Sequence, residues 1–271
     1  MTAVVRRARP AMGTLVELGI LVPGGDSARP PPWALAALAA GWQAVDAVEL
    51  ATSAFLPASD VGRFNSARSG ATLPVTSDTA RVLRTALGLA RATNGLFDVT
   101  GRTGPGDWSL GGRPGAPLLC KHAPKVRLDL GGIAKGHAVD RAVAALAART
   151  RSSGRRARCW VNAGGDLRAQ GVELVVCLRD ERGGGAWPWL TLRCGAVATS
   201  DFAPTARARL TGGRPRGLHV SVVSPRCLWS DALTKVVALS GRCDHPVIAS
   251  HRAHAFVHDA VRFGRHRGER G

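Results

Sequence analysis

Apolar positions recur at two periods along this chain, and the switches between those periods outline its elements. Residues 11–22, Ala-Met-Gly-Thr-Leu-Val-Glu-Leu-Gly-Ile-Leu-Val, alternate as a strand and end in a Pro-Gly-Gly-Asp turn. Over 33–51, Leu35, Leu38, Trp42, Val45 and Val48 fall three or four apart, which predicts an amphipathic helix. Residues 60–65 read as a short polar segment carrying Arg63, Phe64 and Asn65 in series. A second helix is expected over 77–93, opened by Ser77-Asp78 and closed by Asn94-Gly95. The stretch 101–124, rich in Gly and Pro, reads as an irregular, exposed flap.

A strand over 126–130 then runs through Gly131-Gly132 into a helix over 138–149, where Val139, Ala142, Val143 and Leu146 repeat at helical spacing. Residues 159–181 read as a β-hairpin or meander, with further strands near 190–199 and 218–224 and a helix from about residue 230. No repeat is present, and helices and strands mix without a regular βαβ alternation. That pattern predicts an α+β fold with mixed sheets, packed helices and a cleft between lobes. A single domain is expected over 8–262, followed by a basic tail, 263–271.

Composition narrows the class. With 45% hydrophobic residues over 271 positions, the chain can build a globular core. Its most apolar stretch, 33–56, is interrupted by Asp46 and Glu49, so no membrane span is expected. The start lacks the apolar core of a secretory signal, which makes a cytoplasmic location the expectation. The six cysteines form no C-x-x-C pair and read as reduced thiols. The net charge is +18, but Lys121, Lys125, Lys135 and Lys235 are the only lysines among 37 basic residues. The arginines are spread along the whole chain, so no specific nucleic-acid site is expected.

The chemistry concentrates in Leu128-Asp129-Leu130-Gly131-Gly132-Ile133-Ala134-Lys135-Gly136-His137. This is a strand, a glycine-rich turn and a helix opening. Such a turn lets backbone approach a phosphate, and Lys135 in the first helical turn can neutralise its oxygens. It matches neither the Rossmann fingerprint nor the P-loop, and from spacing alone it equally fits a tight turn with a solvated lysine.

The segment 129–136, with Ala138-Val139-Asp140 after it, resembles the signature of the FAD:protein FMN transferases, the ApbE family. Other pieces fall in that family's order: Met12-Gly13-Thr14; Arg63-Phe64-Asn65; Gly95-Leu96-Phe97-Asp98-Val99-Thr100; Val161-Asn162-Ala163-Gly164-Gly165-Asp166-Leu167; Ala198-Thr199-Ser200; and Ser230-Asp231-Ala232-Leu233-Thr234. The resemblance implies FAD as substrate, contacted by Met12, Leu96, Phe97, Asp98, Asp129 and Lys135, with Phe55 at a family aromatic position. It also implies Mg²⁺ held by the Gly132 carbonyl and the side chains of Asp231 and Thr234. The implied reaction moves FMN from FAD to a Ser or Thr hydroxyl of an acceptor flavoprotein and releases AMP, with Lys135 and Asp231 as electrostatic support. Alternatives are an FAD pyrophosphatase, with water as the acceptor, and a catalytically degenerate FAD-binding protein.

Three departures from the family pattern stand out. The His-containing block expected between Thr199-Ser200 and the late strand is missing, so no general base is assigned; His219 belongs to the strand that follows. Lys235 stands where many relatives carry a metal-side Thr; its ammonium either replaces the cation's charge or points away. The loop after Thr100 is short, with Gly104-Pro105 as a remnant, while a Thr211-Gly212-Gly213-Arg214-Pro215 turn survives. Elsewhere, His245, His251, His254 and His258 read as surface histidines, Asp180-Glu181 as a hairpin tip, and Trp187 and Trp189 as packing residues.

Overall fold

The computed structural model describes residues 2–100, 106–179, 185–202 and 219–258. The Gly104-Pro105 remnant, the Asp180-Glu181 tip, the turn at 211–215 and the tail at 263–271 lie outside the described residues. In chain order the elements are β1 (Thr2–Ala11), β2 (Thr14–Pro23), α1 (Pro32–Thr52), α2 (Asp60–Ser66), β3 (Thr72–Pro74), α3 (Ser77–Ala92), β4 (Trp108–Arg113), β5 (Ala116–Lys121) and α4 (Ala134–Ser152). The second half adds β6 (Cys159–Ala163), β7 (Asp166–Gln170), β8 (Leu174–Arg179), β9 (Ala186–Leu192), β10 (Gly195–Asp201), β11 (His219–Ser224), α5 (Cys227–Ser240), α6 (Pro246–Ser250) and β12 (His254–His258). A seven-stranded antiparallel sheet runs β1-β2-β6-β7-β10-β11-β12, beside a three-stranded sheet β3-β5-β4 and a β8-β9 hairpin. The architecture is α+β.

The central strands of the large sheet are buried on both faces. Val16, Leu18, Ile20 and Val22 of β2 alternate toward α1 and α4, where Leu38, Val45, Val143 and Leu146 complete one core. Gly19 faces the other way, and a side chain there would collide with the Trp160 ring, which belongs to a smaller cluster with Val197 and Leu192. The third core lies around Phe64, Leu83, Leu119, Leu128 and Leu233, joining α2, α3, the small sheet and α5. α1 is long and apolar enough to pass for a membrane span. Its Ala37, Leu38, Gly41 and Val45 are buried, while Arg9 ion-pairs with Asp46 and the Met12 N–H donates to Glu49, as expected of a core helix.

Four expectations need correction. Residues 11–22 are not one strand: Met12 and Gly13, with φ of 53° and 72°, make a two-residue turn between β1 and β2. The first of these strands, β1, escapes the periodicity test because it is a largely exposed, Arg-rich edge strand. The polar segment at 60–65 is the helix α2, opened by Ser59, whose hydroxyl accepts the Gly62 N–H. The supposed flap contains the hairpin β4-β5, closed at Pro114-Gly115 and anchored by the buried Leu119.

The fourth concerns 126–130, which buries Val126, Leu128 and Leu130 but belongs to no sheet. Its backbone is instead satisfied by the Asn65 amide, whose Oδ1 accepts the Leu128 N–H (2.7 Å) and whose Nδ2 donates to the Leu128 carbonyl (2.9 Å). That exchange gives Arg63-Phe64-Asn65 a structural meaning: Phe64 enters the core and Asn65 pins the approach to the glycine turn.

Candidate functional site

A cleft of about 1070 Å³ opens where the turns of the large sheet meet the glycine turn before α4. Its walls come from the β1–β2 turn, residues 96–99, the β6–β7 turn, β8, the end of β10, the start of β11 and one face of α5. Sites for drug-sized ligands occupy roughly 300–1,000 Å³, so this cleft has room for a dinucleotide. Each turn is built for close approach. Asn162 Oδ1 accepts the Gly165 N–H, and Gly164 packs so tightly on Thr14 that a side chain there would meet its hydroxyl.

The floor carries alternating charge. Lys135 Nζ donates to Asp166 Oδ2 at 2.6 Å and lies 3.7 Å from Asp231 Oδ2. Asp166 and Asp231 are both buried. Burial, then the neighbouring Asp231 charge, pushes the Asp166 carboxyl up to about 6 despite Lys135 beside it. For Asp231, burial acts in the same upward direction, but Lys135, Lys235 and the Gly136 N–H outweigh it and hold the carboxyl below the usual range. Burial alone would lower Lys135; Asp166 and Asp231 reverse that and keep it protonated.

Much of the glycine turn's hydrogen-bonding capacity is already spent. The Gly131 N–H donates to Asp129 Oδ1 (2.8 Å), the Ala134 N–H to the Leu130 carbonyl (2.8 Å) and the Gly136 N–H to Asp231 Oδ2 (3.1 Å). The positive charge offered to an anion here is chiefly the Lys135 ammonium. It has three donors, of which Asp166 takes one.

Of the residues expected at the site, Met12, Phe55, Leu96, Phe97, Asp98, Asp129, Gly132 and Lys135 line this one cleft. Met12 sits at the hairpin tip, and Phe97 reaches the wall from the core. Phe55 is 94% exposed at the rim, an aromatic face open to a ligand. Asp98 accepts hydrogen bonds from the Thr100 backbone and hydroxyl (2.8 and 2.7 Å).

Asp231 and Thr234 lie beneath the cleft surface, both fully buried. The Thr234 hydroxyl donates to the Asp231 carbonyl (2.7 Å) and is 2.9 Å from Ser200 Oγ. Between these groups and Gly132 runs the side chain of Lys235: a Cβ at Gly132 would sit 3.4 Å from Lys235 Cε. Lys235 Nζ bonds Asp231 Oδ1, the Asp231 carbonyl (3.0 Å) and Ser200 Oγ (3.3 Å). As arranged, these donors do not fit a resident Mg²⁺, because an ammonium already stands among them. The same geometry answers the question of Lys235's direction: it points inward.

Other site residues carried a weaker signal in the sequence. Asp166 follows the glycine pair of a quoted motif, but only the fold shows that β7 aims it at Lys135. Asp201 and His219 are register partners on β10 and β11, with His219 Nε2 3.4 Å from Asp201 Oδ1, and both line the cleft. His219 thus belongs to the site although its sequence context suggested only a strand. His258 also lines it and hydrogen-bonds the Ser221 hydroxyl at 2.9 Å. The other histidines scatter: His251 stacks on Trp229 with ring centroids 3.7 Å apart, and among the described residues no cluster of His, Cys, Asp and Glu suits a metal.

The fold has close counterparts among solved structures. The flavin transferase ApbE from Vibrio cholerae superposes with a TM-score of 0.73 at 20% identity, over 95% of this chain and 94% of its own. The ApbE protein from Thermotoga maritima gives 0.75 at 21% identity, over 94% of each chain. The flavinyl transferase ApbE of Pseudomonas stutzeri gives 0.67 at 18% identity, over 88% of this chain and 84% of its own. These likenesses establish the fold. Curated proteins yield no match. The model of the ApbE family matches residues 12–114 and 102–203, which span the glycine turn, the Asp166 strand and most of the cleft wall. On that match, the chain belongs to the ApbE family.

Proposed function

We propose that this protein is an FAD:protein FMN transferase. The observation that carries the reading is the position of Lys135: a cation fixed by a buried carboxylate at the floor of a dinucleotide-sized cleft, ringed by the residues expected to hold flavin. The FAD diphosphate lies against Lys135, and the isoalloxazine reaches the apolar rim near Met12, Leu96 and Phe55.

The chain's part in the reaction is positioning and charge stabilisation. A Ser or Thr hydroxyl of an acceptor flavoprotein attacks the phosphorus on the FMN side of the diphosphate. A new P–O bond forms to the acceptor, the P–O bond to AMP breaks, and Lys135 balances charge on the phosphoryl oxygens. The hydroxyl proton passes to His219, which Asp201 orients. No step is routed through Mg²⁺, for the reason given by Lys235.

The test is incubation with FAD and an acceptor flavoprotein, followed by intact-mass analysis and nucleotide chromatography. Transfer gives an acceptor heavier by FMN less one water, with AMP in equal amount. Free FMN with AMP and no adduct would make the protein a pyrophosphatase, and FAD recovered intact would remove catalysis from the account.

A further inference from the structure

We infer that Lys235 is a built-in replacement for a divalent cation, so that the flavin site of this protein binds no metal at the Gly132–Asp231–Thr234 position. The inference rests on the proposed flavin reading only for its consequence; the cation site itself can be measured without flavin.

Three oxygens converge on Lys235 Nζ, from the Asp231 carboxylate, the Asp231 main chain and the Ser200 hydroxyl. An ammonium has three N–H groups, so each donor has an acceptor and none is left over. The side chain that delivers it is mostly buried, threads past Gly132 and starts one helical turn beyond Asp231 on α5. A long stem fixed at that depth by one i,i+4 ion pair and two further hydrogen bonds is no surface lysine. Thr234 is likewise committed, with its proton on the Asp231 carbonyl.

Mg²⁺ needs near-octahedral oxygens at about 2.0–2.1 Å. An ion placed on Asp231 Oδ1 would lie within about 5 Å of a charged nitrogen bonded to the same oxygen, with the Lys135 ammonium also close by. In a buried site, where water screens little, that repulsion works directly against metal binding.

The charge pattern explains what such a replacement does. Two lysines, Lys135 and Lys235, face two aspartates, Asp166 and Asp231, so the floor is balanced before substrate arrives. Lys235 neutralises Asp231, which leaves Lys135 free to act on the diphosphate. Without Lys235, the buried Asp231 carboxylate would repel the ligand or recruit a cation. Lys235 is therefore a positioning residue.

Mn²⁺ is the probe, followed by the paramagnetic resonance of the free ion in the absence of nucleotide. Wild-type protein is expected to bind no stoichiometric Mn²⁺. Lys235→Thr, which removes the ammonium and supplies a hydroxyl, is expected to bind Mn²⁺ at least about tenfold more tightly, and adding Asp231→Asn should abolish the gain. One Mn²⁺ bound by wild type with unchanged affinity in Lys235→Thr would overturn the inference, as would a folded Lys235→Thr protein that gains no site. If that variant does not fold, wild type alone decides the matter. FAD affinity by flavin fluorescence should then be the same in EDTA and in millimolar Mg²⁺, and a tenfold or larger Mg²⁺ dependence would overturn the inference. Wild type that binds neither Mn²⁺ nor FAD would leave Lys235's role standing and defeat the flavin reading instead.

Discussion

Asp140 and Asp231 cap each other's helices. Asp231 of α5 accepts the Gly136 N–H in the first turn of α4, while Asp140 of α4 accepts the Cys227 and Leu228 N–H groups at the start of α5, at 3.0 and 3.1 Å. Neither helix has a side-chain cap from its own N-cap residue, Ile133 or Arg226, so each depends on the other for this service. Arg168 closes the arrangement by donating to Asp140 at 2.6 Å. The exchange locks Lys135 and Asp231 together although they lie far apart in sequence.

The first prediction follows from that lock. Asp140→Ala removes two capping hydrogen bonds and leaves Arg168 without its carboxylate. It should lower unfolding free energy by about 2–3 kcal/mol in urea titration, as the loss of a charged, partly buried cap does. Glu173, whose ion pair with Arg193 is exposed, is the control: Glu173→Ala should change stability by less than about 1 kcal/mol.

The second concerns pH. Asp166 is raised from 3.8 to about 6, so the folded protein holds that proton more firmly than the unfolded chain does. Its contribution to stability is present below about pH 4 and is lost as the pH climbs through about 6. In the cleft, protonation leaves Lys135 with one fewer compensating negative charge. FAD should therefore bind more tightly at pH 5 than at pH 7.5, by about 1 kcal/mol or roughly fivefold, with a midpoint near 6. Asp166→Asn should flatten that profile in a fluorescence titration.

The third concerns the rim. Phe55 is almost wholly exposed, so Phe55→Ala should leave the thermal midpoint where it is. The loss should appear in FAD affinity, by about 1–2 kcal/mol, as for an aromatic face removed from a stacked ligand. Equal affinity in isothermal titration would place the isoalloxazine elsewhere.

The fourth concerns proton transfer. His219→Asn keeps a polar side chain opposite Asp201 and should leave FAD binding within about twofold while slowing FMN transfer by about 10²-fold. A transfer rate equal to wild type would move the base to another residue.

Much of this site was legible in the sequence because its pieces are local. Met12-Gly13-Thr14, Leu96-Phe97-Asp98 and Asp129 through Lys135 are each short segments that stand out by their resemblance to the family's motifs, and the fold brings them to one cleft. Helices α1 and α3 were legible for the same reason: their apolar spacing and closing residues lie within a single window. What stayed hidden depends on partners distant in sequence. The Asp166 contact with Lys135, the pairing of Asp201 with His219 and the exchange between Asp140 and Asp231 all require the sheet order and the crossing of α4 with α5. β1 stayed hidden because an exposed arginine-rich edge carries almost no apolar alternation. The segment at 126–130 mimicked a strand because its apolar residues are buried, yet its hydrogen-bond partner is a side-chain amide, which periodicity does not report.

Flavin dinucleotide binding in this cleft depends above all on Lys135 meeting the diphosphate, and comparing FAD with riboflavin isolates that contact. Wild-type protein and Lys135→Ala are titrated with each ligand by flavin fluorescence, with folding checked by circular dichroism. Loss of a charge-assisted hydrogen bond should weaken FAD by about 1.5–3 kcal/mol, roughly 10- to 150-fold, and leave riboflavin, which has no phosphate, unaffected. Equal FAD affinity in the two folded proteins would contradict the account, because the diphosphate would then lie away from the cation that Asp166 holds in the cleft.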